Sequence, residues 1–283
     1  MTRLRPEGSR LPDTADPAPP TTPGTPQELQ ISTVGHVRLL VLNRPGRLHA
    51  LSRPLWDALI DAYLEAGADA EVRAIVITAT GDKAFCSGFD LKDVQERDNA
   101  GKPFRGPMDQ DKRLLFEVVH ETWKPTIAAV NGAAIGAGFE LALACDLRIA
   151  SAHARFALPE ARIGMGGIYG SVVLPRTIPV GIALEMMYTG DYMSMDEARR
   201  WGLVNNVVDS KDLFDTAMGM AERIAANAPI TVRRMKEMAL KGLSLPVATA
   251  LRLNVGPDPY TAQDRKEGIA AFLEKRKPVW KGR

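Results

Sequence analysis

Only two cysteines and four histidines are spread through 283 residues, and no apolar run approaches the roughly 18 residues of a membrane span. Cys86 and Cys145 lie far apart in hydrophobic stretches without metal-ligand spacing, which predicts two reduced, buried thiols. His120-Glu121 lacks the second histidine of a zinc helix, so no metal site is expected. Excess charge of one sign is missing too. The 36 basic and 34 acidic residues leave a net charge of +2, which argues against nucleic acid as a partner. Arg3, Arg5 and Arg10 precede no apolar segment, and Glu7, Asp13, Asp16 and several prolines interrupt any amphipathic leader. A cytoplasmic protein with no membrane partner is the expectation. No G-x-S-x-G hydrolase elbow occurs, and Gly132, Gly136 and Gly138 do not make the G-x-G-x-x-G of a dinucleotide fold.

Residues 1–28 hold seven of the 20 prolines among Thr, Ala and Asp, too little apolar surface to offset ordering entropy, and predict a disordered tail. Beyond it, Ile31 and Val34, then Val37 to Leu42, read as strands around a turn at Gly35-His36. Ser52 caps a predicted helix with Pro54 in its first turn and Leu55, Leu59, Ala62 and Ala66 on one face. Residues 74–79, 126–130, 147–150 and 204–208 read as strands, and 114–123 and 139–144 as helices. The charged, Gly- and Pro-containing stretch 92–111 predicts a loop. Ser194 and Glu197 form a capping-box pattern. From Ser210 the periodicity is helical almost to the end. The expected organisation is a mixed α/β core over 29–209 and a helical domain over 210–283.

The most informative stretch is Pro125–Cys145, where composition predicts about five charges and only Glu140 occurs. It follows Gly132, Gly136 and Gly138, in a turn that leaves amide groups at a helix N-terminus, where negative charge is favoured. A carboxylate and an oxyanion-binding turn would share one apolar site; a buried helix whose glutamate points to water would read the same. A second glycine turn, Phe85-Cys-Ser-Gly-Phe-Asp-Leu-Lys92, could offer the Phe89 N–H to a ligand. A third element is Leu158-Pro-Glu160, followed by Gly164, Gly166, Gly167 and Gly170.

With Asn43-Arg-Pro45, Phe85-Cys-Ser-Gly-Phe-Asp90, Asn131-Gly132, Gly136-Ala-Gly-Phe-Glu-Leu141, Cys145-Asp146, Pro159-Glu160, Thr189-Gly190 and Glu267-Gly268 in this order, the chain resembles the crotonase, or enoyl-CoA hydratase/isomerase, superfamily from about Leu29 to Arg283. That resemblance implies an α/β fold, a spiral of ββα units with a helical C-terminal trimerisation domain, assembling as a homotrimer or homohexamer. It implies an enoyl-CoA hydratase, a lyase acting on an acyl-CoA thioester, with coenzyme A as part of the substrate and no further cofactor. The amides of Phe89 and Ala137 align with the oxyanion hole, and Glu140 and Glu160 with the catalytic glutamates. Glu140 is expected to activate water and Glu160 to hold it and deliver the proton. Arg47, Ala50, Asp90, Leu91 and Lys92 are expected to border the CoA, with Phe272 and Lys275 reaching a neighbouring subunit's CoA.

The chain departs from the hydratase pattern in Gly164-Met-Gly-Gly-Ile-Tyr-Gly-Ser171, which would line the acyl pocket, and at His49 and Phe89. Its ending, Lys275–Arg283, is similar to that of carnitinyl-CoA dehydratases. A specialised acyl-CoA dehydratase, an enoyl-CoA isomerase and an RNA-binding crotonase homologue are the competing readings.

Overall fold

The computed structural model describes residues 28–102 and 113–283. The tail expected over 1–28 lies, but for Glu28, outside the described residues. Strands β1 (Leu29–Val34) and β2 (Val37–Leu42) form an antiparallel hairpin in which Val34 pairs with Val37. Helix α1 (Arg53–Ala68) starts on the Ser52 hydroxyl, which accepts the Leu55 N–H at 3.3 Å, a cap of about 1 kcal/mol. Strands β3 (Ala74–Ala79) and β4 (Ala84–Cys86) lead to α2 (Leu91–Asn99), and α3 (Leu115–His120) to β5 (Thr126–Val130) and β6 (Ala133–Ile135). Next come α4 (Ala137–Ala144), β7 (Leu147–Ser151) and β8 (Arg155–Ala157). Helices α5 (Glu160–Ile163), α6 (Tyr169–Thr177), α7 (Val180–Thr189) and α8 (Met195–Arg200) precede β9 (Asn206–Val208). The chain ends in α9 (Ser210–Ala225), α10 (Pro229–Gly242), α11 (Val247–Ala250) and α12 (Gln263–Leu273).

Among the described residues the strands make a six-stranded sheet, β1-β2-β3-β5-β7-β9, and a three-stranded parallel sheet, β4-β6-β8. Each of β3, β5 and β7 lies in the large sheet and is followed at once by a strand of the small one, then by helix. This is the spiral of ββα units. Side chains alternate across a strand. Leu40, Leu42, Ile75, Ile77, Ala128 and Val130 therefore face α1, α3 and α4. Val37, Leu39, Ala74, Val76, Ile127 and Ala129 face Leu213, Ala217, Met218 and Ala221 of α9. A parallel sheet covered on both faces needs strands that are apolar throughout, which is why β3 and β5 read as uninterrupted runs.

Several expectations are corrected. Stretch 92–111 begins as helix rather than loop: the Asp90 carboxylate accepts the Lys92 N–H at 3.2 Å, and Asp93 and Arg97 suit the two ends of the helix dipole. The rest of that stretch, residues 103–111, lies outside the described residues. Helix α3 stops at His120, short of Trp123. Beyond the expected division at 209/210, α9 covers one face of the large sheet. Leu213 and, in part, Met220 and Ile224 are consumed there. The apolar residues left exposed in the helical part include Met235, Val247, Leu251, Tyr260, Phe272 and Leu273. Its end is pinned by Asp264, whose carboxylate accepts the Lys281 and Gly282 amides, and by Trp280 Nε1, which donates to Ala226 O at 2.7 Å.

Candidate active site

The small sheet positions the site because β4 runs directly against α4. A Cβ added to Gly138 would stand 2.1 Å from the Cys86 carbonyl oxygen, so no larger residue fits between the two backbones. Beyond β4, residues 87–90 are held by 48–51. Ser87 N donates to Leu48 O, Leu51 N to Gly88 O at 2.7 Å, and Asp90 N to Leu51 O at 3.1 Å. Adjacent amides of an extended segment face opposite sides, so the Phe89 N–H is directed away from Leu51. Gly88 takes φ +96, and a Cβ there would stand 2.9 Å from Ile135 O and 3.5 Å from Ala137 N. Ala137 opens α4, where an N–H has no acceptor within the helix. The Gly88–Phe89 turn thus lies against the start of α4.

Glu140 sits one turn into α4 and is 2% exposed. Its Oε1 accepts the Gly170 N–H at 2.7 Å and the Ile168 N–H at 3.1 Å. Glu160, half-buried, opens α5; a Cβ on Gly136 would stand 3.0 Å from its Oε1, so this carboxylate lies over the turn that starts α4. Both glutamates therefore lie at one helix N-terminus, against which the Gly88–Phe89 turn packs. The amides of Ile168 and Gly170 were not legible in advance, since backbone donors leave no side-chain signature; the glycine run 164–170 was the only signal.

Burial pushes the Glu140 carboxyl up to about 7, against the pull of the Gly170 amide, and the charge of Glu160 adds to the rise. Burial also raises Glu160. A carboxyl whose pKa is higher folded than unfolded binds its proton more tightly in the native state. Its contribution to stability is therefore full below its ordinary 4.5 and is lost as pH rises to about 7. The span corresponds to on the order of 3 kcal/mol. Urea unfolding at pH 5 and pH 8 should show Glu140→Gln losing less stability across that interval than the wild type. Equal losses would mean that Glu140 carries no such proton.

Of the residues expected to border the CoA, Arg47, Leu91 and Lys92 are exposed, beside the Leu51–Phe89 pairing. Ala50 is buried and its carbonyl accepts from Arg44 Nη1 at 2.7 Å. The buried Asp90 carboxylate caps α2 and pairs with Arg44 at 3.1 Å, while Arg44 also holds Glu28 at 2.6 Å. These two carboxylates keep the Arg44 guanidinium positive and hold the 44–51 loop on α2. His49 is a structural residue: its Nδ1 accepts the Arg44 N–H and its Nε2 donates to Thr80 O, each at 3.0 Å. Phe272 and Lys275 are not brought to these groups; both stand exposed at the end of α12. A cavity of about 70 Å³ opens beside the Phe89 ring, with Leu51, Trp56, Ile60, Val94 and Leu114 as its apolar lining. Among the described residues, no group of three or more His, Cys, Asp or Glu could hold a metal, and no helix is long and apolar enough to cross a membrane.

Residues 33–283 match the family model described as enoyl-CoA hydratase/isomerase. The chain is similar to (E)-benzylidenesuccinyl-CoA hydratase of Thauera aromatica, with 36% identity over 91% of this chain and 99% of that protein. It is 38% identical to carnitinyl-CoA dehydratase of Proteus mirabilis, over the same shares of the two chains. Among solved structures, it resembles an enoyl-CoA hydratase of Bacillus anthracis with a TM-score of 0.81 and 35% identity, covering 91% of this chain and 100% of that one. An enoyl-CoA hydratase of Mycobacterium tuberculosis superimposes with a TM-score of 0.80 at 32% identity, covering 90% and 99%.

Proposed function

This chain belongs to the enoyl-CoA hydratase/isomerase family, and we propose that it adds water across the 2,3 double bond of an acyl-CoA thioester, or removes it in reverse. The observation that carries this reading is the pair of carboxyls, Glu140 and Glu160, both raised by burial and both at the start of α4, where the Gly88–Phe89 turn packs. Hydration builds negative charge on the thioester oxygen. Two fixed N–H donors stabilise that oxygen, and losing one such donor elsewhere costs about 10²–10³ in rate. The water oxygen bonds to C3 while one carboxylate takes a water proton, and C2 receives a proton from the other carboxyl. A pair that holds one proton between its members has the inventory this step needs. Glu140 is assigned to activating the water, and Glu160 to holding it and delivering the proton.

A screen of acyl-CoA thioesters for hydration, dehydration and double-bond shift tests the proposal. Hydration of a short 2-enoyl-CoA is expected, and double-bond shift without any water chemistry would overturn it. A specialised acyl-CoA dehydratase is the second reading, favoured by the Met165, Ile168 and Tyr169 loop and by the similarity to carnitinyl-CoA dehydratases. Retention of the two-carboxylate geometry favours catalysis over an RNA-binding homologue. Two free, buried thiols suit a reducing, cytoplasmic setting.

The apolar residues exposed on α10 to α12 support assembly as a homotrimer or homohexamer, with Phe272 and Lys275 completing a neighbour's CoA site beside Arg47 and Lys92. Sedimentation should give a trimer or hexamer. Removing residues from 270 onward should weaken CoA binding. A monomer at micromolar concentration would contradict this assembly.

A further inference from the structure

Aromatic residues make up only 6% of the chain, yet four of them run in one row across the candidate site. The Phe89 ring lies 5.4 Å from that of Trp56, stacked at 27°. Trp56 meets Phe116 edge-on at 5.2 Å, and Phe116 meets Tyr169 at 5.6 Å. Trp56 and Phe116 are buried, whereas Phe89 and Tyr169, at the two ends, are half-buried. Those ends flank the chemistry. Phe89 follows Gly88, whose Cβ would stand 3.5 Å from Ala137 N, and Tyr169 lies between Ile168 and Gly170, whose amides hold Glu140. The Tyr169 hydroxyl is engaged with His120 Nδ1 at 2.9 Å, which fixes the orientation of its ring. A thioester with its carbonyl on the Phe89 amide and C3 beside a water on Glu140 would turn its C3 substituent towards the two half-buried end rings, Phe89 and Tyr169.

We infer that this row selects the acyl group: the chain takes thioesters whose C3 carries a flat aryl ring in preference to a linear alkyl chain. The inference rests on the proposed hydratase reading. Aryl rings gain offset or edge contacts worth about threefold to tenfold each beyond simple burial. A flexible alkyl chain makes no such contact and loses rotamer freedom on binding.

The test is kcat/KM for dehydration of 3-hydroxy-3-phenylpropanoyl-CoA, 3-hydroxybutanoyl-CoA and 3-hydroxyoctanoyl-CoA. The wild type is expected to favour the phenyl substrate over the octanoyl one by about tenfold. Phe89→Leu, which keeps the backbone amide, and Tyr169→Leu should each bring the ratio towards one, while Tyr169→Phe should preserve it. An octanoyl substrate turned over as well as the phenyl one by the wild type overturns the inference, even if the variants do not fold. So does a ratio that neither leucine variant changes. Turnover of all three without aryl preference leaves the hydratase reading standing, whereas turnover of none sinks both.

Discussion

Glutamine at position 140 or at position 160 is expected to slow hydration of a short 2-enoyl-CoA by about 10²–10⁴, with little change in CoA affinity. Each carboxyl handles a proton that moves only in the transition state, so its loss appears in kcat rather than in binding. Glu140 is the only charge between Pro125 and Cys145, and it is buried on two amides. The cost of burying that charge is offset only in part by those amides, which leaves a carboxyl poised near neutral pH. The double variant should lose less than the product of the two single losses, because the pair acts as a unit on one water. Steady-state hydration by the three variants, beside 3-enoyl to 2-enoyl conversion, checks this. Near-normal turnover by Glu140→Gln on every substrate, with Glu160→Gln inactive, would replace the hydratase reading by an isomerase-like one.

Gly138→Ala is expected to cost more than the about 1–3 kcal/mol typical of overpacking, and to remove activity with it. The added methyl would stand 2.1 Å from the Cys86 carbonyl oxygen, and a backbone oxygen of a paired strand cannot turn away as a side chain can. Moving β4 from α4 would also move the Phe89 amide from that of Ala137. Gly181, in α7, is the control: a Cβ there meets nothing within 4 Å, so Gly181→Ala should stabilise by about 0.5–1 kcal/mol. Thermal unfolding and soluble yield separate the two. A Gly138→Ala protein that unfolds with the wild type and retains turnover would show that β4 and α4 are not in contact at this point.

The large sheet was legible because five of its six strands, β1, β2, β3, β5 and β7, are long enough to show apolar runs, and Ser52 and Ser194 announced their helices by cap chemistry. The small sheet was not: β4, β6 and β8 span three residues each, too few for an alternation to register. Helix α2 was hidden by its five charges, three of them exposed, which leave no apolar stripe. Glu140 stood out as a lone charge among apolar residues, and its burial accords with that. The groups that hold it did not stand out, being backbone amides of a glycine-rich loop whose side chains say nothing of hydrogen bonding. The aromatic row was invisible for another reason. Residues 56, 89, 116 and 169 belong to four segments that only the tertiary fold brings side by side.

The central claim is that Glu140 and Glu160 together pass one water into a 2-enoyl thioester. Mass analysis of the product from a short 2-enoyl-CoA, made in ¹⁸O-labelled water and separately in deuterium oxide, tests it most directly. The account predicts one solvent oxygen at C3 and one solvent hydrogen at C2, with this labelled product formed about 10²–10⁴ more slowly by the Glu140→Gln and Glu160→Gln variants. A product that gains no solvent oxygen, and differs from the substrate only in the position of its double bond, would contradict it.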